Sequence, residues 1–379
     1  MDIYKRHRRI WRFFYALLHR PICRKFNLTH DVAAPDGPCL IIANHTNAWD
    51  PLIVAMCLPK KQTYFVSSEH LFRLGALSRL IDFLVAPIPR RKAAVATDTV
   101  LACLRHLRAG RSVCIFAEGE QCWDGRTAPL SPTTGALVKK SGASLLTIHI
   151  EGGYLSLPRW AKKARKGRMR AEIAGIYSPE ELSGMSEAEI AERISSDIRE
   201  DCWERQAREA IAFRSKAPAE GLERALWLCP VCGRIGSLRT KKDRVFCSCG
   251  MEATMTPTGF FGDGAPYRTI AEWDREQIRR TKEGEFFQNG EILFSDGEIT
   301  LSEILPKHKS RKIGCGALTQ YADAFGIAGE RFPLGEIRAM AAVQAHLLLF
   351  SSRGKYYELR AKKPANLRKY LIYFNTRKD

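Results

Sequence analysis

The stretch LIIANHTNAWDPLIVAM, residues 40–56, decides the reading of the N-terminal half. The run CLIIA (39–43) is short, apolar and free of alternation, as expected for a strand covered on both faces. Asn44 and His45 follow in a polar loop. Asp50-Pro51 then opens a helix, Asp as a good N-cap and Pro at the first helical position. His45 is therefore expected at the C-terminal end of a buried strand, with a carboxylate five residues on. An imidazole held by a carboxylate through one nitrogen is a general base of fixed tautomer. Alone, the same two residues also fit an ordinary satisfied histidine beside a helix cap.

Outward from this stretch, TYFVS (63–67), FLVAPI (83–88), SVCIFA (112–117) and SLLTIHI (144–150) read as further buried strands. Between them, TDTVLACLRHLRAG places Val100, Leu101, Leu104 and Leu107 on one helix face, with Gly110 as a cap. Strands alternating with helices predict an α/β layered domain, and in such folds ligands gather at strand C-termini. Two more groups fall there. Glu118-Gly119 follows SVCIFA, a carboxylate for substrate hydroxyls beside a residue that permits close backbone approach. Arg90-Arg91 ends FLVAPIP, and paired guanidinium groups suit phosphate.

The order of these pieces is informative. Asn44-His45 with Asp50, then Arg90, then Phe116-Ala117-Glu118-Gly119, then a helix with Thr134, Gly135 and Ala136, resembles the glycerolipid acyltransferases related to 1-acylglycerol-3-phosphate acyltransferase, over roughly residues 25–215. The resemblance implies an α/β domain with a mixed sheet flanked by helices. It also implies that His45 deprotonates an acceptor hydroxyl, which attacks the thioester of acyl-coenzyme A or an acyl-carrier protein, while Asp50 holds the imidazole. Asn44, Arg90, Arg91, Glu118 and Gly119 are then expected around the substrates. The block that usually reads FPEGTRS is FAEGEQC here, so Ala117, Glu120 and Gln121 replace Pro, Thr and Arg. Losing that Arg beside a new carboxylate weakens the case for a plain lysophosphatidate acceptor, with Arg90, Arg91 or Arg126 as compensating groups. The segment LLTIHIEGG likewise lacks the usual Pro.

The chain has 379 residues, 60 of them Lys or Arg and 41 Asp or Glu, for a net charge of +19. Such a surplus implies an anionic partner. Eight basic residues lie in the first 25, seven between Arg159 and Arg170, and 15 beyond Leu305. With Ile3, Ile10, Trp11, Phe14, Leu17 and Leu18 at helical spacing, residues 1–25 read as a membrane-interface helix or a basic helix packed on the protein. No segment has the roughly 20 apolar residues of a spanning helix. Membrane contact is expected to be peripheral, on the cytoplasmic inner face, with anionic lipid ranked above nucleic acid as partner.

Of twelve cysteines, four cluster: Cys229, Cys232, Cys247 and Cys249, as CPVCG and CSCG around a basic hairpin tip. Four thiolates at this spacing predict a structural zinc ribbon over 222–256, closed to substrate, ahead of iron in a rubredoxin-like knuckle or two reduced pairs without metal. The ribbon is read as a connector more than a nucleic-acid reader. The other eight cysteines read as reduced, cytosolic thiols. MSEAEIAERISSDIREDCWERQAREAIAF reads as one long amphipathic helix, APAEG (217–221) as a linker after an acyltransferase domain of 26–215. Residues 257–379 are expected to be a β-rich domain: GEILFSDGEITL and HLLLFSSRGKYYELRAK as hairpins, PANLRKYLIYFN as a final helix. That order resembles a pleckstrin-homology-type barrel capped by a helix. The competing reading of the whole chain is a non-catalytic membrane or nucleic-acid binder on a decayed acyltransferase scaffold.

Overall fold

In the computed structural model, residues 3–33, 35–93, 96–284, 292–306, 308–362 and 365–378 are described. Met1 and Asp2 of the N-terminal segment, and Gly290 and Glu291 of GEILFSDGEITL, lie outside them. The chain divides into two compact units, one of residues 1–91, 96–158 and 165–213, the other of 92–95, 159–164 and 214–379.

The first unit begins with α1 (Ile3–Phe26), β1 (Leu28–His30), β2 (Cys39–Ala43), α2 (Asp50–Met56), β3 (Thr63–Ser68), α3 (Ala76–Val85), β4 (Ile88–Arg90), α4 (Thr97–Arg108) and β5 (Ser112–Ile115). It continues with α5 (Thr134–Ser141), β6 (Ser144–Glu151), α6 (Gly153–Ser156), β7 (Met169–Tyr177), α7 (Pro179–Ser183), α8 (Glu187–Asp197) and α9 (Cys202–Glu209). Its seven strands order as β1-β7-β6-β2-β5-β3-β4. All neighbours are parallel except β6 and β7. This is the expected mixed sheet. Every residue of β2 is buried, because helices cover both faces of the central strands.

α1 does two things at once. Trp11, Tyr15, Leu18, Ile22 and Phe26 pack on the sheet's core, and the Trp11 indole donates to the Leu58 carbonyl at 3.0 Å. Ile3, Phe13 and Leu17 face solvent instead, each more than half exposed.

Three expectations within this unit are corrected. FLVAPI is not a strand: Phe83–Val85 close α3, Ala86 caps it in a left-handed conformation, and only Ile88–Arg90 pair with β3. The long helix is two helices, α8 and α9. Asp201 caps α9 through the amides of Trp203 and Glu204, and Cys202 N–H leaves to donate to Gly125 O, so the helical ladder cannot run through. Asp50 is the first residue of α2, with Trp49 before it as the cap; its carboxylate turns back to the preceding loop.

The second unit holds a three-stranded sheet, β8 (Arg239–Lys241), β9 (Arg244–Phe246) and β10 (Glu252–Thr254), then α10 (Ile270–Glu283). After it come β11 (Ile292–Leu305), β12 (Lys309–Tyr321), β13 (Ala324–Ile327), β14 (Glu330–Pro333), β15 (Ile337–Val343), β16 (Leu347–Ser352), β17 (Lys355–Ala361) and α11 (Arg368–Thr376). The larger sheet is antiparallel in the order β14-β13-β12-β11-β17-β16-β15. HLLLFSSRGKYYELRAK forms the hairpin of β16 and β17, and α11 follows. GEILFSDGEITL is corrected: from Ile292 it is one long strand, and the expected turn is a register shift in its pairing with β12 between Asp296 and Ile299. APAEG is corrected too. Ala219 is fully buried, its N–H donates to Lys242 O, and a Cβ on Gly221 would lie 2.2 Å from Trp160 O, so this segment is packed in the unit and does not link.

Candidate active site

The loop after β2 is built around one carboxylate. Asp50 has no exposed surface. Its Oδ2 accepts from Thr46 N–H at 2.5 Å, Asn47 N–H at 2.8 Å and His45 Nδ1 at 2.8 Å, and its Oδ1 from the Thr46 hydroxyl at 2.9 Å. A carboxylate so supplied with donors only accepts, so the His45 proton sits on Nδ1 and Nε2 carries the lone pair. The imidazole stacks on Phe116 at 4.3 Å between ring centroids, and its side chain remains 17% exposed. One nitrogen is anchored and the other faces outward.

Glu118 joins this loop to the one after β5. Its Oε1 accepts from His45 N–H at 2.5 Å and its Oε2 from Ala128 N–H at 2.7 Å. Burial pushes its carboxyl up to about 8, against the pull of those two amides. Asn44 plays a similar part on the other side: its amide donates to Ile150 O at 2.8 Å and accepts from Ile150 N–H at 2.7 Å. Both side chains thus spend their polar atoms on backbone and hold the His45 loop in place. Arg90 ends β4 beside Gly119, its guanidinium 3.9 Å from where a Cβ on that glycine would stand. Arg91 points to Glu69, at 3.0 Å. Arg126 is engaged with Asp124 at 2.8 Å. Gln121 is buried, and Glu120 accepts from the Trp123 indole at 3.4 Å.

Several groups here escaped the sequence reading. Thr46, Asn47 and Trp49 complete the turn that grips Asp50, with the Asn47 side chain accepting from Trp49 N–H and donating to Gly153 O. At the C-terminal end of β6, His149 lies 2.9 Å from Glu200 and 3.3 Å from Glu172, while Arg205 binds Glu200 at 2.7 Å and Glu151 at 2.8 Å. Burial works against a charge on His149, but its carboxylate partners prevail and raise it above the ordinary imidazole value. A small cavity beside His45 is lined by Glu118, Arg126, Tyr154, Glu200 and Cys202. Glu200 lies in the break between α8 and α9 and Cys202 opens α9, at a place where the sequence shows an even helix pattern and no mark of the break.

In the second unit Cys229, Cys232, Cys247 and Cys249 meet, all four Sγ within 4.8 Å of one another. Cys229 and Cys249 are 3.6 Å apart, Cys232 and Cys247 3.8 Å. Four thiolates about 2.3 Å from one tetrahedral ion would stand about 3.8 Å apart, so the donors fit zinc.

The acyltransferase family model matches residues 25–151, from the end of α1 to the end of β6. The chain is 25% identical over 130 residues to the chloroplastic 1-acyl-sn-glycerol-3-phosphate acyltransferase BAT2 of Brassica napus, covering 34% of this chain and 37% of that protein. It is 23% identical over 129 residues to the chloroplastic 1-acyl-sn-glycerol-3-phosphate acyltransferase LPAT1 of Arabidopsis thaliana, covering 34% and 36%. The chain thus spans little more than a third of the length of these curated relatives. Among solved structures it is similar to the 1-acyl-sn-glycerophosphate (LPA) acyltransferase PlsC of Thermotoga maritima, with a TM-score of 0.39 and 17% identity over 50% of this chain and 90% of that one. The family match supports an acyltransferase-type domain over residues 25–151.

Proposed function

We propose that the protein transfers a fatty acyl group from an acyl thioester, acyl-coenzyme A or acyl-carrier protein, to the hydroxyl of a lysophospholipid or related lipid acceptor. The observation that carries this is the His45–Asp50 pair inside a stretch matching the acyltransferase family. In this reading His45 Nε2 takes the acceptor's hydroxyl proton as its oxygen attacks the thioester carbonyl, and Asp50 stabilises the imidazolium that forms. The thiol then leaves, protonated by the same imidazolium. Arg90 beside Gly119 is the cation for an acidic head group, with Asn44 and Glu118 as positioning residues and Arg91 farther out on Glu69. An apolar cavity of about 260 Å³, walled by Trp11, Phe14, Leu18, Leu52, Ile81 and Leu84, suits the acyl chain.

We take the acceptor to differ from plain lysophosphatidate, because Glu120 and Gln121 stand where the resembling family has Thr and Arg. Membrane approach is assigned to α1 and α3. Phe13, Leu17, Leu77, Leu80 and Phe83 are each about half exposed or more, among basic residues of α1 that suit anionic lipid. No helix among the described residues is long and apolar enough to cross a membrane. The four cysteines are read as holding a structural zinc ion that stiffens a connector, and the larger antiparallel sheet with α11 as pleckstrin-homology-like.

The test is transfer from a labelled thioester to a panel of lysolipids in anionic vesicles. His45→Ala is expected to lower the rate about 10²- to 10⁴-fold, Asp50→Asn comparably, with salt reducing vesicle co-sedimentation. Equal rates in the native chain and His45→Ala would remove the mechanism. Full activity on lysophosphatidate alone would remove the acceptor assignment. No transfer to any acceptor, with His45 and Asp50 intact, would favour the decayed scaffold.

A further inference from the structure

A second set of soft and borderline donors lies far from the four cysteines in sequence. His19 and Cys23 are one helical turn apart in α1, so they share a face. His30 ends β1 opposite them. One ligand atom from each lies within 4.8 Å of the other two, and the two Nε2 atoms are 3.0 Å apart.

The tautomer of His30 is fixed by its other nitrogen. Nδ1 is 2.9 Å from Asp31 O. A carbonyl only accepts, so the proton is on Nδ1 and the Nε2 lone pair is turned towards His19. A ring N–H given to a backbone carbonyl while the second nitrogen faces a cluster is the orientation that supports metal-bound histidines. Two ring nitrogens at about 2.05 Å from a tetrahedral ion would stand about 3.3 Å apart, close to the spacing found. The rings are nearly perpendicular, at 82°, so neither blocks the other's approach to a shared point.

A third cluster shows what a different arrangement looks like. His149, Glu151 and Glu172 also come together, but Arg205 and Arg170 already neutralise those carboxylates. At His19, Cys23 and His30 the donors are two imidazoles and a thiol, a set whose softness suits zinc.

We propose that His19, Cys23 and His30 form a zinc site that clamps the last turns of α1 to β1, with water in the fourth position. On binding, the His19 proton moves from Nε2 to Nδ1 of the same ring and the Cys23 thiol proton goes to solvent. Nε2 of each histidine and the thiolate then bond the ion. The site is distinct from the proposed ribbon and from His45.

The experiment is elemental analysis of the full chain, purified without chelator, loaded with zinc and dialysed. The native chain is expected to retain two zinc ions, and Cys23→Ala and His30→Gln one each. Alanine suits a helix and Cys23 is only partly buried, so the first variant should fold, as its melting curve in chelator would show. Cys232→Ser separates the two sites: if it leaves the content unchanged while Cys23→Ala lowers it, the ribbon reading fails and this one stands. Cobalt loading gives a second readout, because a site with one thiolate and two imidazoles differs in absorption from one with four thiolates. Equal zinc in the native chain and Cys23→Ala, or no cobalt bands removed by that substitution, would overturn the proposal.

Discussion

At the scale of single residues, the site rests on buried carboxylates with opposite duties. Asp50 accepts four hydrogen bonds and orients His45. Glu118 accepts two and is held towards its neutral form by burial, titrating near 8 where an unfolded chain's glutamate titrates near 4.5. Between those values the folded protein holds a proton that the unfolded chain has lost. The contribution of Glu118 to stability is therefore full below the lower value and fades as pH rises through the upper one, with a limiting slope of about 1.4 kcal/mol per pH unit. Melting temperature should fall between about pH 5 and about pH 8, and fall less steeply in Glu118→Gln. Identical slopes would show that Glu118 is not the group responsible. His45 and Glu118 were legible in sequence because polar residues directly after apolar strands stand out, and Asp50 because Asp-Pro marks a helix start. Thr46 and Asn47 were not, since part of their service is through backbone N–H groups, and short polar side chains in a loop look alike whether or not they grip a carboxylate.

At the scale of elements, packing separates what periodicity could and could not tell. The central strands were legible because buried parallel strands are unbroken apolar runs. FLVAPI is the same kind of run, yet it is a helix end and a short strand: with α3 half exposed to solvent, its apolar residues do not mark burial in the sheet. α10 went unread although Thr269 and Glu272 form a capping box. Its buried face includes the polar Asp274 and Gln277, which add nothing to an apolar stripe. Asp274 is paired with the buried Arg368 of α11, and Gln277 satisfies Trp227 N–H and Ala225 O. The glycine of the Thr134-Gly135-Ala136 motif is explained by contact. A Cβ there would lie 1.9 Å from the Glu187 carbonyl at the start of α8. Gly135→Ala should force α5 and α8 apart and cost about 1–3 kcal/mol, read as a lower urea midpoint. An unchanged midpoint would mean that α8 yields without cost.

At the scale of the whole molecule, the charge of +19 has an uneven distribution along the chain, and the same is true of the chain's path. The second unit resumes at Arg214, but that is not its first stretch of chain. Lys92 and Arg159–Ala164 already belong to the second unit. There Tyr356 donates its hydroxyl to Lys92 O at 2.6 Å, Arg159 donates to Gln344 O at 2.8 Å, and Trp160 is fully buried. A chain stopped at Phe213 would keep these segments and lose their partners, leaving a large indole without cover. It should be less soluble than the full chain in side-by-side expression, and a soluble fragment with a single sharp melt would refute this. The consequence reaches beyond stability. The second unit is assembled from three separate stretches of chain, so no single cut separates its sequence from that of the first, and a substitution at Trp160 is expected to register in the second unit although Trp160 precedes residue 214.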